Sequence, residues 1–248
     1  MKKQKKPLTN NYYRYHSCFY SGYAPGAPDQ KNAPKQTLYG IEIEFASAIN
    51  KKDAAQLISN ALGELENTGY SFVVSNDGSI KTCTTYQEKI ELALAPDTLS
   101  NLIARLKIIL PLFIGKERGY NRGGIHITAI GGFASKNKNL LAARINRAVM
   151  SATDENIFSI SNRKLTEFCA KPNAMRIKSE AYALGFSNET DYDYDYRGSK
   201  IACVSKSYGV ELRIFNSNLD IKRVSQHLKD AATIFNAAYK AKSIQDLA

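Results

Sequence analysis

Apolar and polar residues alternate along four segments of the chain, and a period of two is typical of strands that bury one face. These segments are Leu38 to Phe45, Lys89 to Ala95, Gly124 to Ile130 and Tyr208 to Phe215. Shorter runs at 70–74 and 200–206 precede turn-forming residues, and they predict hairpins with the second and fourth of these strands. Pro96 follows the second segment and is expected to end it.

Helical spacing of apolar residues fills most of the intervals between the predicted strands. It predicts a helix from an N-cap at Asp53, one that begins at Asp97 or Thr98 and ends around Pro111 to Gly115, one over Asn139 to Met150, and a closing helix capped by Asp220. Residues 151–200 are predicted to be mostly irregular, with a short helix near Lys164 to Ala170.

The length and composition suit one large folded domain. At 248 residues the chain can bury a substantial core, and 44% hydrophobic with 23% charged residues is an ordinary globular mixture. Residues 1–36 differ, because they are crowded with Lys, Asn, Tyr, Gly and Pro. We therefore predict an irregular N-terminal arm over 1–36, whose tyrosines pack back onto a domain of residues 37–248 rather than stack on bases.

A formal net charge of +11 favours an anionic partner such as a nucleotide, a nucleic acid or an acidic metabolite. The one dense basic cluster, at residues 2–6, is explained by a solvated tail. The four cysteines lie far apart without a CxxC pair, so they predict no zinc site. No apolar run is long enough for a signal peptide or a membrane span, and we expect a cytoplasmic protein without a membrane partner.

Two glutamates share the polar face of the first strand. A period of two puts Glu42 and Glu44 on one face with Gly40, and Ile41 and Ile43 on the other. Adjacent carboxylates repel unless solvent, a shared proton or a cation relieves them, and divalent cations bind such oxygen ligands. Taken alone, an ordinary half-exposed strand explains the pair equally well.

The same arrangement returns on the other three strands. Glu91 projects from the polar face of the second, His126 follows the pair Gly123–Gly124 on the third, and Glu211 and Arg213 are neighbours on the fourth. A neutral imidazole can ligate a metal beside carboxylates. An arginine beside a metal-ligating carboxylate can clamp a phosphoryl group, although a surface salt bridge is the simpler interpretation of that pair.

Three other polar residues are weaker candidates. Asp77 lies in an N-D-G turn, where an aspartate is favoured for its turn-forming side chain alone. Arg118 and Arg122 precede the histidine strand and could reach a nucleotide phosphate or a substrate carboxylate. In so basic a chain, two arginines carry little weight by themselves.

These segments, taken in order, resemble the amidoligases of the glutamine synthetase and glutamate-cysteine ligase superfamily. The resemblance is carried by Y-G-I-E-I-E-F, N-D-G-S-I, I-E-L-A-L-A-P, G-G-I-H-I-T and V-E-L-R-I-F-N, which span about residues 37–220. It implies an α+β fold with a glutamine synthetase-like catalytic domain, a curved and mainly antiparallel sheet backed by helices. It also implies ATP and two or more Mg²⁺ or Mn²⁺ ions as cofactors, with a carboxylate and an amine joined through an acyl phosphate. Glutamine synthetases form rings, but no segment of this chain shows an equivalent interface.

The resemblance also implies roles for the residues on the strands. Glu42, His126 and Glu211 are expected to hold the metal nearer the transferred phosphate. Glu44 and Glu91 are expected to hold a second metal near the substrate.

Arg213 is expected, by the same resemblance, to stabilise the transferred phosphoryl group, so that it forms the catalytic set with Glu42 and Glu211. Asp77 matches the D-G-S element of the family without an assigned role. The family commonly has a second histidine two positions after the first, a ligand or nucleotide contact in whose place this chain has Thr128.

Two functions compete at this point. The first is an ATP-dependent carboxylate–amine ligase. The alternative is a non-catalytic, basic nucleic-acid-binding or assembly protein on a ligase-like scaffold, which the charge of +11 and the aromatic arm favour. A ligase that acts on an anionic macromolecule would combine the two.

Overall fold

The computed structural model describes residues 36–62, 72–76, 80, 88–116, 123–163, 202–206 and 209–241. Its elements in chain order are β1 Leu38–Ser47, α1 Lys51–Leu62, β2 Phe72–Asn76, β3 Glu88–Asp97, α2 Leu99–Ile109, a 3-10 turn Leu110–Phe113, β4 Gly124–Ile130, α3 Gly132–Lys136, α4 Lys138–Ser151, α5 Asp154–Ser161, β5 Cys203–Ser205, β6 Gly209–Asn216 and α6 Ile221–Lys240. The described strands form one six-stranded antiparallel sheet in the order β2-β3-β1-β4-β6-β5. The predicted α+β class is therefore confirmed.

The hydrophobic core lies between the helices and one face of the sheet. The four central strands each supply a fully buried aliphatic residue to it, namely Ile43, Leu92, Ile127 and Leu212. The helices α1, α2, α4 and α6 supply Ile58, Leu106, Ile145 and Phe235. Phe45 meets Phe113 edge-on, with ring centroids 5.0 Å apart. Because the apolar residues of each strand face the helices, the residues that alternate with them lie on the opposite face.

The strands with candidate polar residues are neighbours in the sheet. β3, β1, β4 and β6 occupy its four central positions, and every pairing between them is antiparallel. The antiparallel strand pairing of the two predicted hairpins is also confirmed, while residues 77–79 of the predicted first turn lie outside the described residues. Ser75 of β2 pairs with Glu91 of β3, and the main-chain N–H of Lys206 donates to the carbonyl of Gly209, 2.7 Å away, where β5 turns into β6.

Two predicted element ends are correct. Thr98 caps α2 by accepting a hydrogen bond from the N–H of Asn101, and Asp220 caps α6 by accepting one from the N–H of Lys222. Two others are wrong. The cap of α1 is Asn50, whose side chain accepts from the N–H of Asp53, so that the aspartate lies inside the first turn.

Pro96 does not end the second predicted strand. β3 continues to Asp97, and its pairing with β1 jumps from Leu94 opposite Ile41 to Asp97 opposite Tyr39. The extra residue on β3 forms a bulge, where a proline costs no ladder hydrogen bond.

The segment predicted to be mostly irregular begins with a helix. α5 spans Asp154–Ser161 and is capped by Thr153, whose side chain accepts from the N–H of Asn156. Ile157 is its one buried apolar residue, which is too weak a signal for a periodicity argument. The rest of that segment, at 164–200, lies outside the described residues, as do 1–35, so the arm and the helix near Lys164 remain predictions. Every helix in the described ranges is too short or too polar to cross a bilayer.

Candidate active site

The polar residues predicted on four strands lie on the face of the sheet opposite the core. The register pairs Glu42 with His126, Glu44 with Glu91, and Glu211 with Thr128. Neighbouring strands are about 4.8 Å apart, so the four strands place these residues across roughly 14 Å.

His126 lies between two carboxylates of β1. Its Nδ1 is 3.4 Å from Oε2 of Glu42, and its Nε2 is 3.5 Å from Oε1 of Glu44. Burial lowers the pKa of His126, but the hydrogen bond to Glu42 and the charges of Glu44, Glu211 and Glu42 outweigh it and raise the pKa above its usual value. The imidazole thus takes a proton readily, and it couples the acids of β1 to the acid of β6.

The glycine pair before His126 brings β4 close to Glu44. The main-chain N–H of Gly124 donates to Oε2 of Glu44 at 2.6 Å, and the Glu44 residue is only 5% exposed. A Cβ on Gly123 would overlap the main chain of Glu44, so only glycine fits there. Ser217 completes the contact, because its hydroxyl donates to the carbonyl of Glu44. The glycine pair therefore lets the backbones of β1 and β4 approach closely at Glu44.

Glu211 is fully buried and held by two cations. Nε of Arg213 donates to its Oε1, and Nζ of Lys206 lies 2.9 Å from its Oε2 in an ion pair without hydrogen-bond geometry. Burial raises the pKa of Glu211, but the charges of Lys206, Arg213 and His126 outweigh it and hold the pKa well below its usual range. Glu211 is therefore ionised at neutral pH.

Lys206 was not predicted as a site residue, although its position follows from the hairpin. Val204 pairs with Glu211, and Lys206 is two residues further on the same face. A turn over residues 206–209 is enough to place the lysine beside Glu211, but the sequence alone does not fix the turn to those four residues.

Arg163 was also missed, and no sequence signal identifies it. Its Nη1 donates to the carbonyls of Arg213 and Phe215, at 3.1 and 3.3 Å. These carbonyls lie where the ladder between β4 and β6 shifts by one residue, between Ile125 opposite Phe215 and Ile127 opposite Leu212. The guanidinium therefore lies at a bulge that is far from Arg163 in sequence.

Glu91 stands at one side of the site. Ser75 donates to its Oε1 at 3.0 Å, and β1 and β4 lie between its strand and that of Glu211. The structure thus brings the predicted residues together as two neighbouring groups. One group consists of Glu42, Glu44 and His126, with Glu91 paired to Glu44, and the other consists of Glu211 and Arg213. Asp77, Arg118 and Arg122 lie outside the described residues.

The carboxylates and the imidazole of the polar face are possible ligands of a divalent metal ion. Among the described residues, no group of three or more acidic, imidazole and thiol side chains has its donor atoms gathered for one ion. The donor set nonetheless fits Mg²⁺ or Mn²⁺ in kind, since it consists of carboxylate oxygens and one imidazole. Glu211 would offer such an ion an ionised carboxylate, whose Oε2 is paired with Nζ of Lys206 at 2.9 Å.

Comparison with known proteins adds no assignment to this geometry. The chain matches no model of a known protein family, and no curated protein is significantly similar to it in sequence.

Proposed function

We propose that the protein is an ATP-dependent carboxylate–amine ligase with a glutamine synthetase-like arrangement of its sheet. The observation that carries the proposal is the gathering of acids, an imidazole and cationic side chains on one face of four neighbouring strands. Phosphoryl transfer from ATP requires positive charge close to the phosphate oxygens and little covalent chemistry from the protein. Arginine and lysine side chains, and acids that can bind metal ions, are the groups that supply such charge.

In this proposal two ions of Mg²⁺ or Mn²⁺ bind to the acids of the site. Glu42, His126 and Glu211 would hold one ion, and Glu44 and Glu91 would hold the second. The ions would neutralise the phosphate oxygens of ATP. Lys206 and Arg213 keep Glu211 in the carboxylate form that binds metal, because they lower its pKa.

The reaction would join a carboxylate to an amine in two steps. An oxygen of the substrate carboxylate attacks the γ-phosphorus of ATP, the bond to the bridging oxygen breaks, and ADP leaves. The amine nitrogen then attacks the acyl carbon, phosphate leaves with the oxygen it took, and the nitrogen loses a proton. Arg213 would bind the transferred phosphoryl group, because a guanidinium fork matches its equatorial oxygens.

The proposal is tested by ATP turnover with Mg²⁺ against a panel of amines and carboxylates. We expect Glu42→Gln and Arg213→Ala to lower turnover by about a hundredfold, the range found when one stabilising group is removed. Glu155→Gln removes an exposed acid on α5 and serves as the matched control. With an ¹⁸O-labelled carboxylate, one labelled oxygen should appear in the released phosphate. Full activity in both site variants, or unlabelled phosphate, would contradict the proposal.

The alternative, a non-catalytic nucleic-acid-binding or assembly protein, is favoured by the charge of +11. The acids of the polar face argue against that face as the binding surface, since Glu42, Glu44 and Glu91 repel a phosphodiester backbone. Binding to single- and double-stranded nucleic acid should be measured at several salt concentrations. A steep loss of affinity with salt, together with no ATP turnover, would support the alternative.

A further inference from the structure

Arg163 is held in place by the end of α5. The helix ends at Ser161, and Asn162 turns the chain with a positive φ of 52°. The hydroxyl of Ser161 accepts from the main-chain N–H of Arg163 and donates to its carbonyl, both at 3.1 Å. Because Ser161 is itself fully buried, these contacts fix the starting point of the arginine side chain.

The guanidinium of Arg163 reaches the polar face beside His126. A Cβ built on Gly124 would lie 2.5 Å from Nη1 of Arg163 and 3.3 Å from Nε2 of His126. Gly124 and His126 are on the same face of β4, since they are two residues apart in a strand. The absence of a side chain at Gly124 therefore leaves the space that the guanidinium takes.

Arg163 differs from the other cations of the site in its partners. Arg213 and Lys206 both pair with Glu211, whereas Nη1 of Arg163 donates to two main-chain carbonyls. Among the residues that the structure describes, no carboxylate pairs with Arg163. A guanidinium has five N–H groups, so Nε and Nη2 remain to donate to a ligand.

We propose that Arg163 binds a phosphoryl group at this face of the sheet. The donors would be Nε and Nη2, because Nη1 donates to the carbonyls of Arg213 and Phe215 at the bulge. The inference rests on the proposed function in taking ATP as the natural source of that group. A phosphoryl group carries several oxygens with spread negative charge, which match a fixed and planar donor. Arg163 would then act beside Arg213, with the bulge setting the spacing of the two guanidinium groups.

The test measures the affinity for inorganic pyrophosphate and for ATP by calorimetry in the presence of Mg²⁺. Arg163→Ala should weaken both affinities by about tenfold to a hundredfold, the usual effect of losing charge-assisted hydrogen bonds. Arg163→Gln keeps an N–H for the bulge carbonyls but loses the charge, and it should weaken binding to a similar extent. Arg147→Ala removes one positive charge from α4 and should leave both affinities unchanged.

The Gln variant keeps the test valid if Arg163→Ala fails to fold, which circular dichroism would reveal. Pyrophosphate affinity that is the same in wild type and Arg163→Gln would overturn the inference, and so would a wild type that binds neither probe. A wild type that binds pyrophosphate through Arg163 but never turns over ATP would contradict the ligase proposal and leave this inference standing.

Discussion

A fully buried carboxylate such as Glu211 loses its hydration, and this costs several kcal/mol unless other groups compensate the charge. Lys206 and Arg213 supply that compensation from two sides of the carboxylate. The pair of Lys206 and Glu211 differs in kind from the pair of Lys51 and Glu88, which is 3.9 Å long and lies at the surface. The two pairs therefore allow the effect of burial to be measured within one protein.

We expect Lys206→Met to destabilise the protein by about 1–3 kcal/mol, because it removes one compensating charge from a buried carboxylate. A double-mutant cycle with Glu211→Gln should give a coupling energy of similar size, measured by urea unfolding at neutral pH. The cycle for Lys51→Met and Glu88→Gln should give no more than about 0.5 kcal/mol, as is usual for exposed pairs. Equal coupling in the two cycles would contradict the role given to burial.

His227 is also buried and ionisable, but unlike Glu211 it forms no ion pair among the described residues. It lies on α6 with 2% exposure, and its ring is 4.7 Å from that of Phe215. Neither ring nitrogen has a hydrogen-bond partner in the part of the chain that the structure describes. Burial lowers the pKa of His227 to about 4, with the charge of Arg223 adding to the effect and that of Asp230 opposing it. The imidazole is therefore neutral in the folded protein at neutral pH.

This shift predicts a loss of stability in acid. Between pH 6.5 and about 4 the unfolded chain binds a proton at His227 and the folded protein does not. The free energy of unfolding is therefore highest above pH 6.5, as far as His227 determines it, and it falls as the pH drops towards 4. Allowing for solvent screening, the loss should be roughly 2 kcal/mol. His227→Leu should remove this part of the pH dependence. Urea unfolding across the same range should show wild type and variant diverging in acid, and parallel curves would contradict the prediction.

At the scale of elements, the pairing of β4 and β6 depends on the glycine at the start of β4. Gly124 leaves room for Arg163, and Arg163 donates to the carbonyls at the register shift. Gly40 of β1 is also on the polar face, yet a Cβ there would meet Pro96 at an ordinary contact distance of 3.5 Å. The two glycines thus differ in what surrounds them.

Gly124→Ala should cost about 1–3 kcal/mol in the free energy of unfolding, because the new methyl group must displace a held guanidinium. Gly40→Ala should change the free energy by no more than about 0.5 kcal/mol, since the new methyl group meets its neighbours at ordinary contact distances and alanine restricts the unfolded chain. Thermal and urea unfolding of both variants provide the measurement. A Gly124→Ala protein as stable as Gly40→Ala would show that Arg163 is not confined there.

The elements with strong periodicity could be predicted from the sequence, and those fixed by distant contacts could not. β4 matches its predicted bounds of Gly124 to Ile130, and Asp220 caps α6 as its position before an apolar period indicates. The continuation of β3 past Pro96 depends on pairing with Tyr39, which local sequence does not contain. Arg163 reaches Phe215 from 52 residues away, so no spacing rule along the chain could identify it.

At the scale of the whole molecule, the sheet separates two kinds of surface. Helices cover the apolar face, while acids and cations share the other. The sequence predicted which side of each strand carries Glu42, His126 and Glu211, because that depends on a period of two. The order of the strands depends on contacts between distant segments, and their adjacency in β3-β1-β4-β6 is what turns separate residues into one site.

The proposed metal ions predict that Mn²⁺ stabilises the folded protein, since an ion that binds only the folded state adds about 2.7 kcal/mol at a hundred times its dissociation constant. Thermal unfolding should shift upward with increasing Mn²⁺. Glu42→Gln should reduce the shift most, because Glu42 lies beside His126, and Glu91→Gln should reduce it less. Glu88→Gln, on the same strand as Glu91 but paired with Lys51, is the control and should retain the full shift. A shift that is unchanged in both Glu42→Gln and Glu91→Gln would contradict metal binding at the polar face of the sheet.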